Sequence, residues 1–314
     1  MIGYVTRRIL ATIPVMAFVA LFVFLLLRLA PGDPAAIIAG DLSSPEQIAR
    51  LREALGLDRP VAIQFVLWLG QLLRGDLGVS LMSGIPVTRL IAERLEPTLT
   101  LALLTLLFCI LAALPLGMLA AWTHNRFTDR LVSGFCVLGY SVPFFVIAYL
   151  LIILFALELR LLPVQGYRGI SGGAGAFLAH QILPVLTLSM PIVALLARTV
   201  RASVLEVLGE DYVRTARAKG LPVSIIARRH VLRNAALPII TVIGNMFAIL
   251  VGGVVVTESI FNLPGIGRLI VDAVLARDYP VIQGVVLFTS FAYVLLNLVI
   301  DLLYIRFDPR IAYR

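Results

Sequence analysis

The sequence predicts an all-α polytopic membrane protein with six transmembrane helices and both termini on the same side of the membrane. Two features of composition lead to this fold class: 60% of the 314 residues are apolar and only 14% are charged. Soluble domains are about 45–50% apolar and about 25% charged. A third observation is that the apolar residues are concentrated in six long runs, an even number that returns the chain to its starting side.

Each run is long enough to cross a bilayer as a helix. At about 1.5 Å per residue, a helix over residues 9–29 covers the roughly 30 Å hydrocarbon core. A cleaved signal peptide is the alternative for this first run, but its apolar stretch is too long and residues 31–34, Pro-Gly-Asp-Pro, do not resemble a cleavage site. We therefore expect the first helix to be retained. The other predicted spans cover residues 98–121, 132–157, 181–199, 236–257 and 281–303.

The basic residues are distributed unequally between the two sets of short loops. Most of them lie in the N-terminal segment, loop 122–131, segment 198–235 and the C-terminal tail. The opposite loops carry only Arg160, Arg168, Arg268 and Arg277. Because short cytoplasmic loops are enriched in Arg and Lys, the first set and both termini are predicted to be cytoplasmic. The net charge of +8 thus reflects topology and does not indicate a nucleic-acid partner.

A long segment, residues 30–96, follows the first span on the external side. Ser44 and Gln47 fit a capping box with Pro45 at the first helical position, which predicts a helix over residues 44–55. A second helix is predicted over residues 61–73, where a run of apolar side chains needs a packing surface. We expect a small external subdomain rather than a floppy linker.

The sequence contains no recognisable catalytic or metal-binding constellation. No Gly-x-x-x-x-Gly-Lys-Ser/Thr phosphate loop and no His-Glu-x-x-His motif occur, and the three histidines lie in three separate segments. Cys109 and Cys136 lie inside apolar runs and fit small packing residues. We expect no catalytic residue, no metal site and no cofactor in this chain.

The most informative stretch, residues 206–235, lies between the fourth and fifth spans. Acidic residues come first, basic residues follow, and Gly220 stands just after them, which is the charge order of a short capped helix. Tyr212 and Ala216 are predicted to share a face, and Ala216 and Ala218 keep the surface shallow enough to lie in a groove of another protein. A second helix is predicted over residues 223–235.

A basic loop that binds anionic lipid is the alternative for this segment, because the cytoplasmic leaflet attracts positive charge. Such a loop needs neither the acidic start nor the Gly-Leu-Pro stop at residues 220–222. Two short helices held between two spans would instead act as a lever that tilts those spans.

Residues 214–220, Arg-Thr-Ala-Arg-Ala-Lys-Gly, followed by Leu-Pro at 237–238, resemble the coupling motif of bacterial ABC importer permeases. Ala216 and Gly220 match the second alanine and the glycine of the generic motif, which begins Glu-Ala-Ala. Arg214 and Thr215 replace the glutamate and the first alanine. This change and the longer gap before the Leu-Pro pair are similar to the dipeptide, oligopeptide and nickel branch, so that Arg214 or Arg217 is expected to serve in place of the glutamate.

The resemblance to that branch extends over the whole chain. The matching segments are residues 31–34, 55–58, 75–78, 139–143, 162–163, 257–261, 264–267, 277–281 and 297–310. The resemblance implies the type I ABC importer permease fold, with three parts in this chain. These parts are the first transmembrane helix with a periplasmic subdomain (1–94), the permease domain with the coupling segment 206–235 (95–304) and a cytoplasmic tail (305–314).

The resemblance also implies partners and a place in the bacterial inner membrane. The partners are a second homologous permease subunit, two ABC ATPase subunits that use ATP and Mg²⁺, and a periplasmic or lipid-anchored solute-binding protein, with membrane lipids around the spans. ATP-driven alternating access is the implied mechanism. The residues expected to couple to the ATPases are Glu210, Asp211, Tyr212, Arg214, Thr215, Ala216, Arg217, Ala218, Lys219 and Gly220.

The translocation path and the solute are less constrained by sequence. Asn245, Ser189 and Gly252 are the predicted path residues, although hydrogen bonding between helices explains Asn245 equally well. Di- and oligopeptides are the commonest cargo of the branch that the chain resembles, and chelated nickel, glutathione and opine-like solutes are alternatives. A stand-alone channel or ion-coupled carrier is the alternative from another functional class.

Overall fold

The computed structural model of the chain describes residues 2–29, 35, 44–54 and 57–307, which are mostly helical and contain no strand. Two π-helical segments cover Ile152–Glu158 and Ile226–Val231, and a 3-10 turn covers Ile170–Gly172. The helices are α1 (Ile2–Leu29), α2 (Pro45–Ala54), α3 (Val61–Leu73), α4 (Val87–Trp122), α5 (Phe127–Ser141), α6 (Phe144–Leu151), α7 (Ala174–Leu208), α8 (Asp211–Ala218), α9 (Val223–Ile225), α10 (Ala236–Ile260), α11 (Ile266–Leu275) and α12 (Tyr279–Phe307).

Three helices in the described part of the chain are long and apolar enough to cross a membrane. They are α4, α7 and residues 279–300 of α12. The pair formed by α5 and by α6 with its π-helical continuation would be a fourth. Helices α1 and α10 cover the remaining predicted spans, 9–29 and 236–257. All six predicted runs are therefore helical.

The third predicted span, 132–157, is not one straight helix. Its two halves are bent by 103° between α5 and α6. Val142 at the break has extended backbone, with ψ 125°, and Pro143 follows it. Because a proline disfavours helical geometry in the residue before it and has no N–H to donate, the helix ends at Ser141 and restarts at Phe144.

The chain divides into two compact units. The first consists of Met1–Leu95 with Gly265–Leu302, and the second of Glu96–Pro264 with Leu303–Arg314. In the first unit, α3 packs on α1: the ring centroid of Phe24 lies 5.1 Å from that of Phe65 and 5.5 Å from that of Trp68. This contact covers only part of α3: none of its residues is buried, and Ile63, Val66 and Leu67 remain exposed.

The predicted capping box is confirmed at the start of α2. The Gln47 N–H donates to Ser44 Oγ at 3.3 Å, and the Ser44 N–H donates to Gln47 Oε1 at 3.0 Å. The helix begins at Pro45, as the sequence predicts. Farther along the first unit, Asp278 accepts hydrogen bonds from the Ser80 hydroxyl and from the Leu81 N–H, which fixes the turn before α4 onto the start of α12.

The core of the second unit forms around α7. Three helices approach it closely through glycines: Gly117 of α4, Gly139 of α5 and Gly253 of α10. A Cβ atom on Gly117 would lie 2.6 Å from the Ala197 carbonyl oxygen, and one on Gly253 would lie 2.5 Å from a methyl group of Leu188. Small residues let helix backbones come together in this way. Helix α7 is thus the central element from which segment 206–235 leaves.

Candidate functional site

The candidate coupling segment, residues 206–235, begins at the C-terminal end of α7 and contains α8. Glu210 has extended backbone, with ψ 145°, and α8 starts at the next residue. Asp211 lies in the first turn and Arg217 in the last, so both charges complement the helix dipole. The capped helix predicted by the order of charges is confirmed over Asp211–Ala218.

Gly220 ends α8 in a Schellman motif. Its backbone is left-handed, with φ +73°. The Gly220 N–H donates to the Arg217 carbonyl at 2.9 Å, and the Leu221 N–H donates to the Ala216 carbonyl at 3.3 Å. These two bonds satisfy carbonyls that the helix end would otherwise leave free. Glycine adopts this conformation without a steric penalty, and Pro222 then starts the next turn.

The inner face of α8 belongs to the core of the second unit. Val213 and Ala216 are buried and join one apolar cluster with Val204 of α7 and with Ile226 and Val231 of the π-helical segment. Tyr212, predicted to share a face with Ala216, is 42% exposed, whereas Ala216 is buried with Val213, so the structure does not present Ala216 to a partner. The inner face of α8 therefore packs on α7 and on the π-helical segment Ile226–Val231.

The outer face of α8 presents the remaining predicted coupling residues to solvent. Arg214 Nη1 donates to Asp211 Oδ1 at 3.2 Å, an exposed pair of little energetic weight. The Thr215 hydroxyl donates to the Asp211 carbonyl at 2.9 Å. The exposed residues are Glu210, Asp211, Tyr212, Arg214, Thr215, Arg217, Ala218, Lys219 and Gly220, and only Ala216 of the predicted set is buried.

The second helix predicted over residues 223–235 is present only in part. Helix α9 covers Val223–Ile225 and continues as the π-helical segment Ile226–Val231. The Leu232 N–H donates to the Ala227 carbonyl at 2.8 Å, five residues back. This wider turn brings Ile226 and Val231 together into the apolar cluster, while Arg228 and Arg229 remain exposed.

An ion pair missed by sequence reasoning ties α5 to α7 close to this segment. Arg201 Nε donates to Asp129 Oδ1 at 2.5 Å, and Arg201 Nη2 donates to Asp129 Oδ2 at 2.8 Å. The Asn125 N–H adds a third bond to this buried carboxylate, and His124 Nδ1 lies 3.3 Å from it. Bidentate pairs of this kind are strong and fix geometry. The signal in the sequence that could have indicated this pair is the acidic residue in the first turn of α5, Asp129, which follows a basic loop.

The predicted path residues lie in different environments. Ser189 is buried in α7, and its hydroxyl donates to the Leu186 carbonyl at 3.1 Å. Asn245 and Gly252 are both exposed on α10, and a Cβ atom on Gly252 would meet nothing within 4 Å. The structure therefore groups Asn245 with Gly252 and separates Ser189 from them.

Asn245 and Gly252 belong to a polar stripe along α10. Exposed positions recur there at helical spacing and most hold polar or small residues, namely Thr241, Asn245, Gly252 and Ser259, while Pro238 and Val256 are exposed as well. By contrast, the exposed face of α4 consists of leucines four residues apart, namely Leu99, Leu103, Leu107 and Leu111. A leucine face suits lipid, whereas polar groups in a span face protein or water.

Nothing in the described part of the chain forms a group of three or more His, Cys, Asp or Glu side chains that could hold a metal ion. Cys109 and Cys136 are buried free thiols.

Comparison with known protein families identifies the class of protein. Residues 113–313 match the model of the binding-protein-dependent transport system inner membrane component, and residues 1–102 match the N-terminal model of the same membrane component. The chain belongs to this family. The permease is therefore a transport component of a binding-protein-dependent importer, a multi-pass membrane protein that works with ATPase and solute-binding partners.

Its relatives include proteins that match the permease over almost its entire length. A protein of Sinorhizobium fredii named "Probable peptide ABC transporter permease" is 52% identical over 310 residues, 99% of each chain. The glutathione transport system permease protein GsiC of Salmonella paratyphi A is 43% identical over 314 residues, 100% of each chain. Both relatives support the dipeptide and oligopeptide branch.

Proposed function

We propose that the permease forms half of the translocation path of an ATP-driven importer for di- or oligopeptides in the bacterial inner membrane. A second, homologous permease forms the other half, two ATPase subunits hydrolyse ATP with Mg²⁺ below the membrane, and a periplasmic or lipid-anchored binding protein delivers the solute. Each cycle of ATP binding and hydrolysis switches the path between outward-open and inward-open states.

The proposed topology has six spans and cytoplasmic termini. All six predicted runs are helical, and the concentration of basic residues in segment 198–235 supports a cytoplasmic position for α8. The bend at Pro143 is compatible with one span, because neighbouring helices can satisfy the backbone groups that a broken helix leaves free.

The observation that carries the proposal is the two-sided environment of α8. Its inner face is fixed in the core around α7, and its outer face is exposed and charged. A partner that binds the outer face can therefore move α7, and the Asp129–Arg201 pair carries this movement to α5. We assign ATPase coupling to residues 206–235 on this basis.

We place the translocation path along the polar stripe of α10. Asn245 and Gly252 line the path in this proposal, and Ser189 supports it from inside the core. The contrast with the leucine face of α4 favours this assignment, since only one of the two faces suits lipid.

Cysteine accessibility tests the path in the assembled importer. In a background with Cys109 and Cys136 replaced by alanine, Asn245→Cys and Gly252→Cys should react with a membrane-impermeant thiol reagent, and added ATP should change the rate. Leu103→Cys is the matched control on the leucine face and should stay unreactive. Equal reactivity at positions 103 and 245 would contradict the path assignment.

The 52% identical relative named as a peptide permease supports a peptide solute. Glutathione is the second candidate, because GsiC is 43% identical over the whole chain. Profiling the ligands of the cognate binding protein separates these solutes. A binding protein that holds peptides of varied sequence supports the first proposal, and one that holds only glutathione supports the second.

A further inference from the structure

A cavity of about 280 Å³ lies between α5 and α7 in the second unit. Its lining residues run from Val132 to Ser141 along α5 and from Ala194 to Arg201 along α7. At 1.5 Å per residue, the α5 stretch is about 13 Å long. The cavity is therefore an elongated groove along two helices.

One end of the groove carries positive charge, and the remaining walls are largely apolar. Arg198 and Arg201 both line it, but Arg201 already donates two hydrogen bonds to Asp129. Within the described residues, Arg198 has no carboxylate partner and is exposed. Val137 and Tyr140, on the wall formed by α5, are 65% and 62% exposed. The groove thus offers one uncompensated guanidinium beside exposed apolar surface.

We propose that this groove binds one anionic phospholipid. The phosphate accepts hydrogen bonds from Arg198, and an acyl chain lies along Val137 and Tyr140. Basic pockets between transmembrane helices on the cytoplasmic side suit anionic head groups. A free phosphate ion would accept the hydrogen bonds of Arg198 but would leave the apolar wall of the groove uncovered. A phospholipid also covers this wall with its acyl chain.

This inference rests on the proposed topology, which places Arg198 at the cytoplasmic leaflet. A lipid held in the groove contacts both helices that the Asp129–Arg201 pair joins, just before the chain enters segment 206–235. Uptake should therefore respond to the content of anionic lipid in the membrane.

The test uses the complete importer, reconstituted in nanodiscs of phosphatidylglycerol and phosphatidylcholine and examined by native mass spectrometry. The wild type should keep a bound phosphatidylglycerol. Arg198→Ala removes the charged hydrogen bond and should weaken this binding by about tenfold or more. Val137→Trp fills the groove from its exposed wall and should also remove the lipid. Arg130→Ala is the matched control, because Arg130 is an exposed arginine of α5 that does not line the groove.

Several results would overturn the proposal. The proposal would be wrong if both groove variants retained phosphatidylglycerol. It would also be wrong if the wild type retained phosphatidylcholine as well as it retains phosphatidylglycerol. Displacement of the lipid by glycerol phosphate at equal concentration would show a phosphate site without acyl recognition. A photo-crosslinker at position 137 that captured the second permease instead of lipid would show a protein interface.

ATP-driven uptake by the same complex in liposomes separates this inference from the proposed function. Uptake by the wild type without a bound anionic lipid would contradict the proposed lipid site and would not affect the importer assignment. A bound lipid without ATP-driven uptake would support the lipid site and contradict the importer assignment.

Discussion

Gly220 is the single residue on which the shape of the coupling segment depends most. Its φ of +73° is strained for any residue with a Cβ atom, although nothing lies within 4 Å of the position where that atom would be. Valine there should cost about 1–2 kcal/mol and disrupt the Schellman motif. We expect Gly220→Val to insert and assemble normally, to retain ATP hydrolysis and to lose uptake. Uptake and ATPase rates in proteoliposomes measure this uncoupling.

Gly220→Asn is the control for that prediction, because asparagine tolerates left-handed backbone. It should retain most uptake, since the space around the position is open. Equal loss with valine and asparagine would show that backbone conformation is not what matters at this position.

Arg217 and Lys219 carry the exposed positive charge at the end of α8. Reversal of both charges, Arg217→Glu with Lys219→Glu, leaves the buried face untouched and should therefore spare folding. We expect ATP hydrolysis to be uncoupled from uptake in the assembled importer. Reversal of Arg228 and Arg229, which are exposed outside α8, is the comparison and should reduce uptake less. Wild-type uptake by the Arg217/Lys219 variant would remove these residues from the contact.

Sequence reasoning at the residue scale succeeded where a local rule determined the outcome. The Ser44–Gln47 capping box and the glycine after α8 follow from chemistry within a few residues. It failed where burial depends on distant segments: Ala216, expected on a surface open to a partner, is buried beside Val213, because Ile226 and Val231 pack there. The partnership of Asp129 with Arg201 joins residues 72 positions apart, and no local pattern reveals it.

The Asp129–Arg201 pair acts at the scale of helices, because it fixes the start of α5 onto α7. Asp129→Asn keeps the shape of the side chain but removes its charge, and a hydrogen bond to a charged group contributes about 1.5–3 kcal/mol. We expect a lower thermal unfolding midpoint of the purified complex and a smaller ratio of uptake to ATP hydrolysis. The reciprocal exchange, Asp129→Arg with Arg201→Asp, should restore part of both. If Asp129→Asn changed neither quantity, the pair would have no role in transmission.

Close packing of α4 on α7 depends on Gly117. Valine there would place a Cβ atom 2.6 Å from the Ala197 carbonyl and from the Val200 Cβ, so the two helices must separate. We expect Gly117→Val to lower the yield of monodisperse complex and its thermal unfolding midpoint. Gly134→Val is the matched control, since nothing lies within 4 Å of its Cβ position. Equal stability of the two variants would contradict the packing argument.

The helices themselves were largely predictable, since runs of apolar residues define them. The bends and π-helical turns in these helices were less predictable from the sequence. Pro143 separates α5 from α6 by a bend of 103°, which the apolar run 132–157 alone does not predict. The π-helical turn after α9 arises because Ile226 and Val231 both find places in the core, a tertiary effect that local propensity does not contain.

At the scale of the whole molecule, family membership confirms the importer class that the sequence motifs indicated. The polar residues along α10 lie in a predicted span, where polar groups face protein or water rather than lipid. Contacts with other subunits depend on the surfaces of those subunits as much as on this chain. The packed contact between α8 and α7, by contrast, is a property of this chain.

The central claim is that ATP hydrolysed by partner subunits moves this permease through α8. The most direct measurement is solute uptake into proteoliposomes that contain the permease pair alone, the pair with the ATPases, or the full set with the binding protein. We predict uptake only with the full set and ATP, and loss of that uptake in Gly220→Val with ATP hydrolysis retained. Uptake at the full rate by the permeases without any ATPase would contradict the account.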